Sequence, residues 1–200
     1  MPTPATLGFK LHTGWAILVA VTGNPAKFEV LLRRRIELLP PDDVIPRFMY
    51  HRAAEIPLIQ ATKLIEQAEA AASDAAHLAV SEALDHLRSI GVTVKAAGIA
   101  SASKPVPAEL SAVLRSHPII HTAEAALFRR ALASACEDSG LAVTSSRDRE
   151  VWGQAAKASG TKEALVRKRI EDLRKSVGAP WGSDQKLATA YALLALASAR

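Results

Sequence analysis

The start of this chain constrains its fold most. Residues 7–21, LGFKLHTGWAILVAV, are a largely apolar run whose second half is rich in small and β-branched side chains, and they read as one long strand. The run ends at Thr22-Gly23-Asn24-Pro25, a turn by composition, and Lys27–Leu32 (KFEVLL) follows as a return strand. Two strands joined by a short turn lie antiparallel, so the chain opens with a hairpin. Arg33-Arg34-Arg35 and Ile36-Glu37-Leu38 either extend the return strand or begin a third one, and Pro40-Pro41-Asp42-Asp43 ends whichever forms. The most apolar part, Trp15–Val21, is too short to span a membrane. With Lys10 as the only early cation and a turn directly after the run, it does not read as a signal peptide.

The period then changes. From Ala53 to Ser89, Leu58, Ile59, Ala61, Leu64, Ile65 and Ala68 recur at helical spacing, as do Leu78, Val80, Ala83, Leu84 and Leu87. The alanine-rich middle, residues 68–76, is either part of one long helix or a join between two. Gly91 stops the helix. Val92–Ser101 (VTVKAAGIAS) reads as a buried strand, Ser101–Pro107 as a loop and Ala108–Arg115 as a short helix. Pro118-Ile119-Ile120 reads as extended or irregular. Thr122 has the chemistry of a cap for a helix over Ala123–Ser139, which ends at Gly140. Leu141–Thr144 is a short strand. Helices follow over Ser146–Ala158 and from Thr161, the latter with Val166, Ile170, Leu173 and Val177 on one side, and Ser183 opens the last one.

The fold class predicted from this order is α/β: a mixed sheet made of an antiparallel hairpin followed by βα crossovers, flanked by helices. The expected organisation is a single domain over residues 1–200, with 147–200 as its C-terminal helical part. Hydrophobic residues make up 49% of the chain, enough for a packed core, so disorder is excluded as a general state. One cysteine, Cys136, rules out an internal disulfide and a disulfide scaffold. The chain is read as soluble and cytoplasmic. The formal net charge of +5 is a weak argument by itself, because alanine and arginine richness (39 of the residues are alanine) both follow from genomic base bias. Its placement says more: residues 147–175 carry nine basic and five acidic side chains, and Arg33-Arg34-Arg35 is a second cluster.

Three stretches resemble one known family. They are Gly8-Phe9-Lys10-Leu11-His12-Thr13-Gly14-Trp15-Ala16, Gly140-Leu141-Ala142-Val143 and Gly182-Ser183-Asp184-Gln185-Lys186-Leu187-Ala188. Together with the element order, they resemble the ribonuclease H-like superfamily and, within it, the RuvC-type Holliday-junction resolvases. The resemblance implies a nuclease site with two Mg²⁺ ions held by carboxylates from separate elements, stabilising the attacking and leaving oxygens. This sequence departs from that pattern. Lys10 stands where the first-strand aspartate is expected, the strand Val92–Ser101 holds no acid, and only Asp184 sits where a family carboxylate is expected.

Five constellations carry candidate chemistry. Lys10 and His12 lie two apart on a strand and so share a face, where a cation pair suits a phosphate or carboxylate, with Trp15 beside them. In Ser116–Glu124, His117, His121 and Glu124 surround a helix start, followed by Arg129 and Arg130. Such a group can hold a metal, bind a phosphate or transfer protons, and His121 and Glu124, three apart, face together. Arg147-Asp148-Arg149-Glu150 lies after a short strand, at the end where open α/β sheets bind ligands. Arg167, Lys168 and Arg169 belong to a basic helix face that could track phosphates, although no aromatic residue interleaves to stack bases. Trp181, between glycines next to Asp184, either plugs the core or forms the lip of a pocket.

The leading functional reading is a RuvC-like, non-canonical or catalytically degenerate protein associated with nucleic acid. Lys10, Trp15, His117, His121, Arg130, Asp148 and Trp181 are its binding candidates. The alternative is a metal-dependent nucleic-acid or phosphoester hydrolase with a rearranged site. There His12, Glu124 and Asp184 are catalytic, Glu124 and Asp184 hold one Mg²⁺ or Mn²⁺, and His12 or His121 is the general base. A protein-interaction module is the third reading. No membrane partner is expected, and a protein partner or a homo-oligomer stays open.

Overall fold

A computed structural model describes residues 3–24, 26–40, 44–102 and 104–198. Pro25 of the expected turn, Pro41-Asp42-Asp43 of the expected break and Ser103 of the expected loop lie outside the described residues.

The chain begins with three strands, β1 (Thr3–His12), β2 (Trp15–Asn24) and β3 (Lys27–Glu37). The run 7–21 is therefore two strands, not one. It reverses at Thr13-Gly14, so that His12 pairs with Trp15 and Lys10 with Ile17. Gly14 has φ +80°, a conformation that a two-residue hairpin turn demands and glycine adopts without strain. The turn is hidden because the middles of both strands are buried on both faces, so the apolar character resumes directly after Thr13-Gly14. The second hairpin turn is held by Asn24, whose Oδ1 accepts the N–H groups of Ala26 and Lys27, both at 2.9 Å. β3 continues straight through the three arginines.

The crossover to β4 (Val92–Ala100) carries α1 (Met49–Ala53) and α2 (Leu58–Ser89). α2 is one unbroken helix. Its buried residues Ala61, Ile65, Ala68, Ala72, Ala76, Val80, Ala83 and Leu87 form a stripe at three- and four-residue spacing, mostly of small side chains that allow close packing. The next crossover carries α3 (Leu110–Leu114) and α4 (His117–Asp138) and leads to β5 (Ala142–Ser146). Pro118-Ile119-Ile120 is helical rather than extended. Proline is tolerated there because the first helical turn has no use for its missing N–H. Thr122 accordingly caps nothing; its hydroxyl donates back to the Pro118 carbonyl at 3.0 Å. The C-terminal part holds α5 (Val151–Ala158), α6 (Glu163–Asp172), α7 (Arg174–Val177) and α8 (Ser183–Ser198).

The sheet order is β3-β2-β1-β4-β5, antiparallel from β3 to β1 and parallel from β1 to β5. It is the mixed, helix-flanked α/β sheet predicted above. Strand alternation splits the core in two. Leu7, Phe9, Ala16 and Leu18 face one side and pack with α1, α2, α3 and α4. Ile17, Val19 and Val21 face the other and pack with α5, α6 and α8. α8 lies hard against this second face. The Thr6 hydroxyl donates to the Ala192 carbonyl at 2.8 Å, and a Cβ on Gly8 or Gly98 would run into the α8 backbone. No helix among the described residues is long and apolar enough to cross a membrane.

Candidate functional site

Lys10 and His12 lie at the C-terminal end of β1 and alternate with Phe9 and Leu11, so they share a face, and that face is the α8 side. The ends of β1, β4 and β5 converge there with α4. Between them lies a cavity of about 680 Å³, lined by Lys10, His12, Ser101, Arg129, Asp148 and the arginines on either side of Asp148. This is where open α/β sheets place ligands, beyond the carboxyl ends of the strands.

The charge in this cavity is one-sided. Lys10, Arg129, Arg147 and Arg149 face a single lining carboxylate, Asp148. Asp148 is itself engaged twice. Lys10 Nζ lies 2.6 Å from one oxygen, and the Tyr191 hydroxyl donates to the other at 2.6 Å while also reaching the Ser146 carbonyl at 3.0 Å. Burial raises the Asp148 carboxyl, but the hydrogen bonds from Lys10 and Tyr191 outweigh it and hold the group below the usual carboxylate range. Burial and the Asp148 bond push the Tyr191 hydroxyl well above its ordinary value, so it stays a donor. Arg129 contrasts with Lys10. Its Nε is buried and has no hydrogen-bond partner among the described residues, and burial lowers the guanidinium below its ordinary value without discharging it. A buried guanidinium N–H without a partner is a costly group, and it belongs to a residue that lines the cavity.

Beside the cavity stands a stacked column. The His12 ring lies parallel to Trp15, with centroids 4.0 Å apart and planes 8° apart, and the Arg35 guanidinium covers Trp15 at 4.0 Å. Nε2 of His12 lies 3.0 Å from Asp184 in the first turn of α8; an ionised carboxylate can only accept, so the ring N–H donates.

Glu124 does not join this group. It is 2% exposed, and its Oε1 lies 2.9 Å from Nδ1 of His51 on α1. His117 and His121 flank the same His51 ring. The expected trio of His12, Glu124 and Asp184 is thus divided. Glu124 sits on a helix packed over one face of the sheet and Asp184 on a helix packed over the other, so the two carboxylates cannot share one ion as expected.

Other expectations need correction. Arg130 turns from the cavity to Glu69 on α2 at 2.7 Å, and its neighbour Arg129 takes the cavity position. Trp181 is not a pocket lip; it is buried between α6 and α8, with Nε1 donating to the Ile170 carbonyl at 2.8 Å. Arg33 holds the preceding loop by bonding the carbonyls of Gly178, Ala179 and Pro180. On α6, Arg167 pairs with Glu163 at 2.8 Å and covers Trp152 at 4.1 Å, while Lys168 pairs with Asp172 at 3.6 Å. Arg169 is half-buried beside Lys27 rather than aligned with them. Sequence reasoning missed His51, Arg129 as a lining residue and Tyr191. Local spacing does not single out Arg129 over Arg130, and His51 gave no spacing signal at all.

No family model and no curated protein matches this chain. Solved structures do. The structure of T. thermophilus RuvC in complex with a Holliday junction substrate covers 95% of this chain and 90% of its own, at 16% identity and a TM-score of 0.54. A second Thermus thermophilus RuvC structure covers 95% and 92%, at 16% identity and a TM-score of 0.53. Near end-to-end coverage of both chains, with a hairpin-led mixed sheet, means that this chain has the RuvC fold, a ribonuclease H-like architecture.

Proposed function

We propose that the chain binds nucleic-acid phosphates in the cavity at the ends of β1, β4 and β5, and does so without the paired-magnesium chemistry that the resemblance implies. The charge of the lining carries this reading: Lys10, Arg129, Arg147 and Arg149 line the cavity with one carboxylate, Asp148, an excess of cations that phosphate oxygens balance. Arg147 and Arg149 extend the positive rim, with Glu150 at 3.4 and 3.5 Å from them. Phosphate contacts of this kind position a nucleic acid without reading its sequence. A RuvC structure at 16% identity holds a Holliday junction substrate, so branched DNA is the first ligand to try.

The donor set does not fit two magnesium ions. An ammonium occupies the first-strand position and is bonded to Asp148, β4 supplies only Val, Thr, Lys, Ala, Gly and Ile, and Asp184 is engaged by His12. Magnesium prefers several oxygen ligands in octahedral geometry, and a lysine ammonium repels it. The site residues act by binding and orientation. Lys10 and Arg129 neutralise phosphate, Asp148 and Tyr191 fix the position of Lys10, and the His12–Trp15 stack walls one side.

The test is a titration with a four-way DNA junction, linear duplex and single strand across a range of salt. Junction affinity is expected to fall with added salt, and Arg129→Gln is expected to weaken binding and reduce the salt slope by about 1. Absence of salt-sensitive affinity for any of the three ligands, or an unchanged slope in the variant, overturns the reading.

A further inference from the structure

A second constellation lies apart from the cavity. His117 and His121 are one helical turn apart on α4, and α1 brings His51 against both. The three rings meet edge to face, with centroids 4.6 Å apart for His51–His121 and His117–His121 and 5.2 Å for His51–His117. One nitrogen from each lies within 4.8 Å of the other two.

We infer that His51, His117 and His121 form a binding site for one divalent transition-metal ion of the Zn²⁺ class, with Glu124 orienting His51 from behind. The inference does not depend on nucleic-acid binding. Zinc–imidazole bonds of about 2.0–2.1 Å set tetrahedral ligands roughly 3.4 Å apart, so small ring rotations close the observed triangle. Glu124 holds Nδ1 of His51, which leaves Nε2 as the nitrogen that His51 can offer. A carboxylate behind a histidine ligand fixes its tautomer and raises its basicity, and the buried Glu124 is placed to do this.

Charge supports the same reading. A buried carboxylate is costly unless compensated. One protonated His51 would balance Glu124, but it would leave unexplained why two further imidazoles crowd the same ring. His117 and His121 are exposed, and their ring nitrogens make no hydrogen bond among the described residues. A dication bound by three neutral imidazoles uses all of these groups. Imidazole selects Zn²⁺, Ni²⁺ or Cu²⁺ over Mg²⁺, which favours oxygen ligands. Three protein ligands leave a tetrahedral site one position short, and the exposure of His117 and His121 opens that position to water or an exchangeable anion. The ion would also tie the five-residue α1 to α4.

The test uses the full chain with no affinity tag, stripped by chelator and titrated with Zn²⁺ against a chromophoric competitor, with Co²⁺ as a spectroscopic probe. Wild type is expected to bind one equivalent and to give the visible absorption of tetrahedral Co²⁺. His121→Ala and His117→Ala, at exposed positions that leave circular dichroism unchanged, are expected to lose both signals. Glu124→Gln is expected to weaken binding by about 10–100-fold. His86→Ala, an exposed histidine on α2, is expected to match wild type. No stoichiometric binding by wild type, or binding that survives in both α4 variants, overturns the inference.

Discussion

The Lys10 ammonium lies 2.6 Å from the Asp148 carboxylate, across 138 positions of chain. The pair joins the end of β1 to the turn after β5, and Tyr191 of α8 anchors the second carboxylate oxygen. A strand, a turn and a helix from opposite ends of the sequence thus meet at one carboxyl group.

That carboxyl makes stability depend on acid. Burial pushes its pKa up, the Lys10 and Tyr191 bonds push it down further, and the net value is depressed. Its contribution is therefore present above the unfolded value of about 3.9 and is lost as pH falls through the folded value. Urea midpoints measured between about pH 3 and 6 are expected to fall more steeply in wild type than in Asp148→Asn. Parallel curves would remove Asp148 from the acid response.

His77 behaves in the opposite sense. Its Nε2 lies 2.9 Å from Asp138 on α4, and its Nδ1 lies 2.8 Å from the Ser73 carbonyl. Both neighbours only accept, so the geometry favours the doubly protonated ring, and the Asp138 bond first and the Ser73 bond second raise the pKa. The tie between α2 and α4 is complete below the ordinary imidazole value of about 6.5 and is lost as pH rises through the raised folded value. In an NMR titration His77 is expected to titrate above 6.5 and to move back toward it in Asp138→Asn. A His77 that titrates identically in both proteins contradicts the pairing.

Two glycines should respond in opposite directions to alanine. At Gly98 a Cβ would strike the Tyr191 carbonyl, so Gly98→Ala forces α8 off the sheet and is expected to cost at least about 1–3 kcal/mol. At Gly153, inside α5, a Cβ meets only the Glu163 carboxylate at an ordinary 3.6 Å. Gly153→Ala is expected to stabilise by about 0.5–1 kcal/mol through lower backbone entropy in the unfolded chain. Thermal and urea melts separate the two, and a neutral Gly98→Ala would mean that α8 is not packed as closely as described.

Cys136 is buried in α4, and burial pushes its thiol up to about 12. The thiolate is the reactive form. Ellman's reagent at neutral pH is expected to label the chain only on unfolding, with a rate that follows the denaturant dependence of global unfolding. Rapid labelling of the native protein would place the thiol at the surface.

Local patterns go a long way here. The turn residues and the shift from strand to helical periodicity are enough to define a hairpin followed by crossovers. Period-two alternation puts Lys10 and His12 on one face. The same patterns fail where local signals are silent. A strand buried on both faces hides the Thr13-Gly14 turn, and Pro118 reads as a breaker although the first turn of a helix accepts it.

What the sequence determines, then, is the order of elements and the face each side chain takes, because both follow from short-range sterics and burial periodicity. Which distant groups meet is decided by the tertiary structure alone. The sheet order brings Asp148 to Lys10, sends Glu124 and Asp184 to opposite faces, turns Arg129 rather than Arg130 to the cavity, and carries His51 across 73 positions to Glu124. Those pairings depend on how crossovers stack helices against the two faces of one sheet, and no local spacing encodes that.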